Sequence, residues 1–344
     1  MMNSDNIKLT TSYMSTMTEL TMGQVILLLS QEHDDQVAID LTRKYCLQST
    51  SSEIQKKGLE FLYINNFYDD LQQLIYINEE SESISNRLWA KVYQIVLDRR
   101  IKRYPPEVLR HELQRIKTDE PELKCLKEFV IVDTYYDQLD FSKIGNFLSK
   151  QQVLFDAIDD HFMLSSFNLR LYQKLFIYYW KRNELIMARK YAFRAINQTN
   201  SPKTKLNMHI NLGLTYSFDT YYQGMYHLKE ALKIAKRYNL KQRIYSIENY
   251  NIPFLSAIFK KVNGITSNDI TEQAHIEIAK GNNDKAIKLL ENVELNSPFK
   301  MYYMGLAKQD SNLLIESSKF FIEKRSDYFF SKLPINALKK MGQL

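Results

Sequence analysis

The 344-residue chain has little that would interrupt a helix: nine glycines and seven prolines in all. A fold built from many turns needs more of both, so the scarcity favours an all-helical protein. A glycine-rich phosphate loop, a Walker sequence and a Gly-x-Ser-x-Gly elbow are all missing, which removes the commonest nucleotide-binding and hydrolase signatures. Cysteine is nearly absent too. Cys46 and Cys125 lie far apart and form no metal-ligand pair, as expected for a reduced, cytoplasmic chain and not for a disulfide scaffold. Long apolar runs are lacking: Val25 to Leu29 is too short to span a bilayer and has neither the basic start nor the cleavage site of a signal peptide. No sign of charge dominates. The 46 Lys and Arg against 40 Asp and Glu leave +6, scattered along helix faces, a balance that permits an acidic partner without demanding one. No cofactor or metal set is expected, and no membrane.

What is present is a repeat. From Leu171 to Pro202, Tyr172, Leu175, Tyr179, Ala188 and Ala195 fall where tetratricopeptide units of about 34 residues pack their two helices together, with a break at Asn183 for the turn. Three- and four-residue steps stack these side chains on one helix face, and the alanines let the neighbouring helix approach closely. Such a unit cannot bury its apolar face alone, so more should follow. They do. Leu212, Gly213 and Tyr216, with Gly224 and Ala231, make a second unit; Ala274 and Ala286 around the turn Gly281 to Asp284 make a third, ended by Pro298; Gly305, Ser317 and Phe321 mark a degenerate fourth. The predicted fold is all-α, a right-handed superhelical solenoid of helix-turn-helix repeats.

Ahead of the repeats, Met1 to Ser15 reads as a polar, frayed end. Apolar periodicity then predicts helices from about Thr18, over Val37 to Tyr45, from Ile54 under a capping box of Thr50 and Glu53, and over Tyr68 to Ile77, Ser85 to Arg100, Pro106 to Lys117, Pro121 to Leu139 and Phe141 to Ala157. Both Pro106 and Pro121 suit a first helical turn, where a missing amide hydrogen costs nothing. After the repeats, Asp327 to Met341 reads as a closing helix interrupted near Pro334. No low-complexity linker divides the chain, and one continuous solenoid is expected.

The terminal stretch FFIEKRSDYFFSKLPINALKKMG from Phe320, together with ARKYAFRAI at Ala188, LGLTYSF at Leu212, EIAKGNNDKA at Glu277, QDSN at Gln309 and RKYCLQ at Arg43, resembles the arbitrium peptide receptors of temperate Bacillus phages. The resemblance covers nearly the whole chain from about Leu20. It implies a non-enzymatic cytoplasmic homodimer that binds a short peptide of about six residues in its concave groove. In the family the peptide releases DNA and tips the lysis-lysogeny choice toward lysogeny. Family members begin with a helix-turn-helix domain, and Met1 to Glu19 is too short for two packed helices and a recognition surface. Residues 1–48 are therefore expected to be a remnant or linker of that domain and 49–344 the peptide-binding and dimerisation domain, with DNA a partner only where an N-terminal reader is supplied. The alternative is a scaffold or decoy that keeps the fold and pairs with a full-length receptor; a water-activating glutamine of the related phosphatases is not identified.

Four residues are singled out as peptide-binding. Glu277 occupies the register position of Tyr179 and Tyr216, where a carboxylate is costly unless paired; it either turns to water, pairs with a neighbouring lysine, or, as the resemblance implies, contacts peptide. Asp327 alone reads as a helix cap, whereas its family counterpart faces the ligand. Lys203 matches a ligand-holding arginine without the planar fork. Asparagines that the resemblance leads one to expect are Ile177 and Leu214 here, and Asn211, one turn from Leu214, compensates. His209 and His227, on different helices of one repeat, carry no metal-ligand spacing, and Trp89 and Trp180 are expected between helices.

Overall fold

Local caps account for where the helices begin. The computed structural model describes residues 20–343, so the expectations for Met1 to Ser15, and for a remnant reader within Met1 to Glu19, lie outside the described residues. Among the described residues every regular element is helical. Thr21 and Gln24 form a reciprocal capping box ahead of the helix Met22–Glu32, and Asp34 caps Asp35–Gln48. The box expected from Thr50 and Glu53 does not form: Ser51 accepts from the Ile54 amide as a simple N-cap and starts Ser52–Ile64, and Ile54 at the third position has no group to reciprocate. Both prolines stand at first turns, of Pro106–Arg115 and Pro121–Asp137.

The chain gathers into two compact units, one of residues up to Gln138 with Gly145–Arg170, the other of Leu139–Ile144 with Leu171 onward. In the first unit, the Phe129 ring packs tilted against Phe147 at 4.6 Å and Phe167 at 5.6 Å, and Trp89 and Tyr93 are fully buried beside one another. A carboxylate stands among them. Glu60, wholly buried, accepts Arg170 Nε at 2.9 Å and Nη2 at 2.6 Å, and the hydroxyls of Tyr93 and Ser166. Four donors on one carboxylate offset the cost of its burial.

The second unit holds the repeats. In the first, ending in Leu185–Gln198, Ala188, Ala192 and Ala195 have no exposed surface, and Tyr179 stacks flat on Tyr191 at 5.7 Å. In the second, Pro202–Leu214 meets Tyr221–Arg237. A Cβ on Gly213 would sit 2.9 Å from the Gly224 carbonyl oxygen and one on Gly224 2.9 Å from that of Gly213, so here the two backbones touch. The third pairs Ile270–Lys280 with Asn283–Leu290 through Gly281, whose φ of 86° is the left-handed cap that glycine adopts without strain. The fourth pairs Pro298–Lys308 with Ser311–Lys319, where the Ser317 hydroxyl donates to the Pro298 carbonyl at 2.7 Å.

Two features depart from expectation. Between the second and third repeats lies a segment the repeat pattern left unassigned: Lys241–Ser246, a π turn at Ile247–Asn251, then Ile252–Ile258. Pro253 explains the π turn, because it lacks an amide hydrogen and its ring crowds the Asn249 carbonyl, so the chain widens and the Ile252 amide reaches back to Ile247. The closing helix is shorter than Asp327 to Met341; it runs Lys332–Lys340 with Pro334 inside its first turn, where it interrupts nothing. Phe329, Phe330, Leu333 and Leu338 of the terminal segment are each at most 4% exposed. The terminal segment folds inward, Phe329 meeting Trp180 and Phe218 edge-on.

Candidate ligand-binding site

Glu277 lies one turn before the end of Ile270–Lys280, a helix that Asp269 caps through the amides of Thr271 and Glu272. Because Gly281 reverses the chain there, the next turn folds back over the carboxylate. Asn282 Nδ2 donates to Oε2 at 2.8 Å, and Lys280 and Lys285 place their ammonium groups 2.9 Å and 3.3 Å from Oε1. The Asn282 hydrogen bond, followed by that from Lys280, holds the Glu277 pKa down at about 2. Of the outcomes open from sequence, pairing with neighbouring lysines is the one observed. A carboxylate offers about four acceptor positions, so capacity remains on Oε2 for one further donor.

Asp327 is 2% exposed. Its Oδ1 accepts the Phe330 amide at 3.0 Å, the cap its sequence position suggested, and its Oδ2 meets Lys181 Nζ at 2.7 Å. That ammonium group sits 4.1 Å from the Trp180 ring centroid and 4.8 Å from those of Phe141 and Phe330. Burial pulls the Lys181 pKa down against the opposing pull of Asp327. The pairing of two charges inside a cage of three rings was not visible in the sequence, which places them 146 residues apart.

Lys203 and Asn211 stand on Pro202–Leu214, with Asn207 between them at four-residue steps, so the three form one half-buried polar stripe. Ile177 is 5% exposed, and Leu214 packs on the cluster of Leu206, Leu228 and Leu255. The two positions where asparagine was expected thus serve the core. Each of the acids keeps its own cations: Glu277 has Lys280 of its own helix and Lys285 of the next, Asp327 the distant Lys181.

Two further polar groupings escaped the sequence reading. Tyr303 donates to Glu272 Oε1 at 2.9 Å and stacks on His275 at 4.2 Å, while Glu272 Oε2 and His275 Nδ1, 3.6 Å apart, are buried without a hydrogen bond. Glu272 and His275 lie three residues apart on one face, the only signal available beforehand. His209 and His227, expected on different helices of one repeat and without metal-ligand spacing, meet across those helices with Nδ1 atoms 3.1 Å apart. Burial, the neighbouring His209 and Arg189 lower the His227 pKa to about 4, so the pair is a neutral imidazole hydrogen bond near pH 7. No group of three or more His, Cys, Asp or Glu side chains with metal-binding geometry occurs among the described residues, and no described helix is long and apolar enough to cross a membrane.

Paired helices with small residues at their crossings define a tetratricopeptide-type helical repeat protein. Residues 38–340 match the family of AimR transcriptional regulator-like proteins, and the chain belongs to that family. The AimR transcriptional regulator of Bacillus phage SPbeta is 22% identical over 341 residues, covering 93% of this chain and 85% of the relative. That of Bacillus phage phi3T is 25% identical over 320 residues, covering 88% and 82%. A solved structure of phAimR with its ligand shares the fold with a TM-score of 0.75 at 23% identity, covering 90% of this chain and 93% of that one.

Proposed function

We propose that this protein is a cytoplasmic, non-enzymatic receptor for a short phage communication peptide, acting as a homodimer in transcriptional control of the lysis-lysogeny choice. Residues 49–344 carry peptide binding and dimerisation. The observation that carries the reading is Glu277: a carboxylate in an aromatic's register, kept ionised and oriented by three donors, with an acceptor position left over. Such a preorganised anion suits a ligand's basic side chain or amino terminus. The stripe of Lys203, Asn207 and Asn211 offers the complementary donors for a peptide carboxylate and backbone. The chain also shares its fold with phAimR, of which a structure with a ligand has been solved, in keeping with ligand binding by this protein. Asp327 acts by holding Lys181 and the terminal turn in place, with two of its acceptor positions still open.

Calorimetry against a small library of arbitrium-like hexapeptides tests this. A peptide with one basic side chain should bind the wild type, and Glu277→Gln should remove a charge-assisted hydrogen bond worth about 1.5–3 kcal/mol, weakening binding at least tenfold. Lys203→Ala and Asn211→Ala should each weaken it as well, whereas Lys236→Ala, on an exposed face, should not. Equal binding by all variants would remove these residues from the site. The apolar Ile177 and Leu214 favour a second reading, a repeat scaffold or decoy that engages another protein; failure of every peptide to bind the wild type would make it the better one.

A further inference from the structure

The positive charge that looked scattered is concentrated. Residues 182–243 hold twelve lysines and arginines and only three acids, Glu184, Asp219 and Glu230, while the rest of the chain has 34 basic residues against 37 acidic ones. On the helix Tyr221–Arg237, the exposed side chains Tyr222, Tyr226, Lys229 and Lys233 follow at steps of four, three and four residues and so form one stripe along the solvent face. Tyr222 is 74% and Tyr226 59% exposed. The neighbouring helix Leu185–Gln198 presents Lys190 and Arg194 four residues apart on its own exposed face. The two helices meet at one point of these stripes: Phe193, beside Arg194, lies 5.9 Å from the ring of His227, the neighbour of Tyr226. These are the second helices of the first two repeats, and neither carries Glu277 or Asp327.

From this juxtaposition we infer that the exposed side of Leu185–Gln198 and Tyr221–Arg237, through Lys190, Arg194, Tyr222, Tyr226, Lys229 and Lys233, binds single-stranded nucleic acid without sequence preference. The cations track a phosphate backbone, and the two tyrosines, about 6 Å apart along the helix, give bases a face on which to stack. Charge complementarity alone would also admit an acidic protein. An amphipathic partner helix, however, seeks an aliphatic stripe, and here the exposed stripe of Tyr221–Arg237 runs from aromatic to basic. A duplex would use the cations and leave the rings idle, since its bases are already stacked.

Fluorescence anisotropy with a labelled 20-nucleotide oligothymidylate, the matching duplex and poly-L-glutamate decides the matter. The oligothymidylate should bind with a dissociation constant of about 10⁻⁶ to 10⁻⁴ M, and with four phosphates engaged the slope of log K against log salt should be about −3. Lys229→Glu with Lys233→Glu should weaken binding at least tenfold and reduce the slope by about half. Tyr222→Ala with Tyr226→Ala should weaken binding at least about tenfold with the slope unchanged. All four positions are exposed, and a circular dichroism melt checks that each variant is folded. Absence of oligothymidylate binding at low salt would overturn the inference. So would equal binding by the tyrosine variant, equal affinity for the duplex, or tyrosine-dependent binding of poly-L-glutamate, which would assign the face to an acidic protein.

Discussion

At the residue scale the two acids of the candidate site differ in what they hold. Lys181 and Asp327 are both buried and paired, and removing one partner strands the other in a low-dielectric interior. Asp327→Ala should therefore cost about 3–5 kcal/mol of stability in urea denaturation, while adding Lys181→Met to it should restore much of the loss. A double variant as unstable as the single one would show that the cap to Phe330 matters more than the pair. Glu277 behaves differently because its charge is stabilised by local donors. Its pKa falls from 4.5 to about 2 on folding, so its contribution is fully present above pH 4.5 and is lost as the pH falls through 2. Stability measured between pH 5 and pH 2 should drop less steeply in Glu277→Gln than in the wild type. His227 adds to the same limb with its pKa lowered from 6.5 to about 4: the unfolded chain takes up a proton first, so folding weakens as the pH falls from 6.5 to 4.

At the scale of elements, the crossing of Pro202–Leu214 with Tyr221–Arg237 is the tightest test of the repeat pattern. A Cβ at Gly213 or Gly224 would meet a backbone carbonyl oxygen at 2.9 Å, and the latter also Leu255 at 2.8 Å. A backbone cannot yield as a side chain can, so Gly213→Ala and Gly224→Ala should each destabilise by about 1–3 kcal/mol through overpacking. Gly305→Ala meets only side-chain atoms of Leu313 and Leu314 and should cost less. Thermal melts of the three variants rank them; a Gly305 variant worse than both others would refute the distinction.

For the whole molecule the open quantity is assembly. The apolar side chains of the terminus, Phe329, Phe330, Leu333 and Leu338, are buried within their own chain. Of that segment Tyr328 remains 48% exposed, and the homodimer rests on the family resemblance. Light scattering at micromolar concentration should return twice the 40.8 kDa chain mass; a monomer mass would remove dimerisation from the proposed function.

The helices, the repeats and their small-residue crossings could be read from the chain alone because they depend on short-range periodicity. Ala188, Ala274, Ala286 and Gly213 are placed by three- and four-residue steps, and each does what its register requires. Where helices begin was legible to within a few residues: Ser51 caps in place of Thr50, and the helix expected from Phe141 starts at Ile144. The polar contacts were legible only where partners are near in sequence: the lysine that pairs with Glu277 is three residues away, and the Asp327 cap reaches Phe330. Lys181 with Asp327, Glu60 with Arg170, and the meeting of His209 with His227 depend on how whole helices stack. No local pattern records which distant side chain will fill the space opposite, and tertiary packing alone decided those pairs, the charge states they impose, and the inward fold of the terminus.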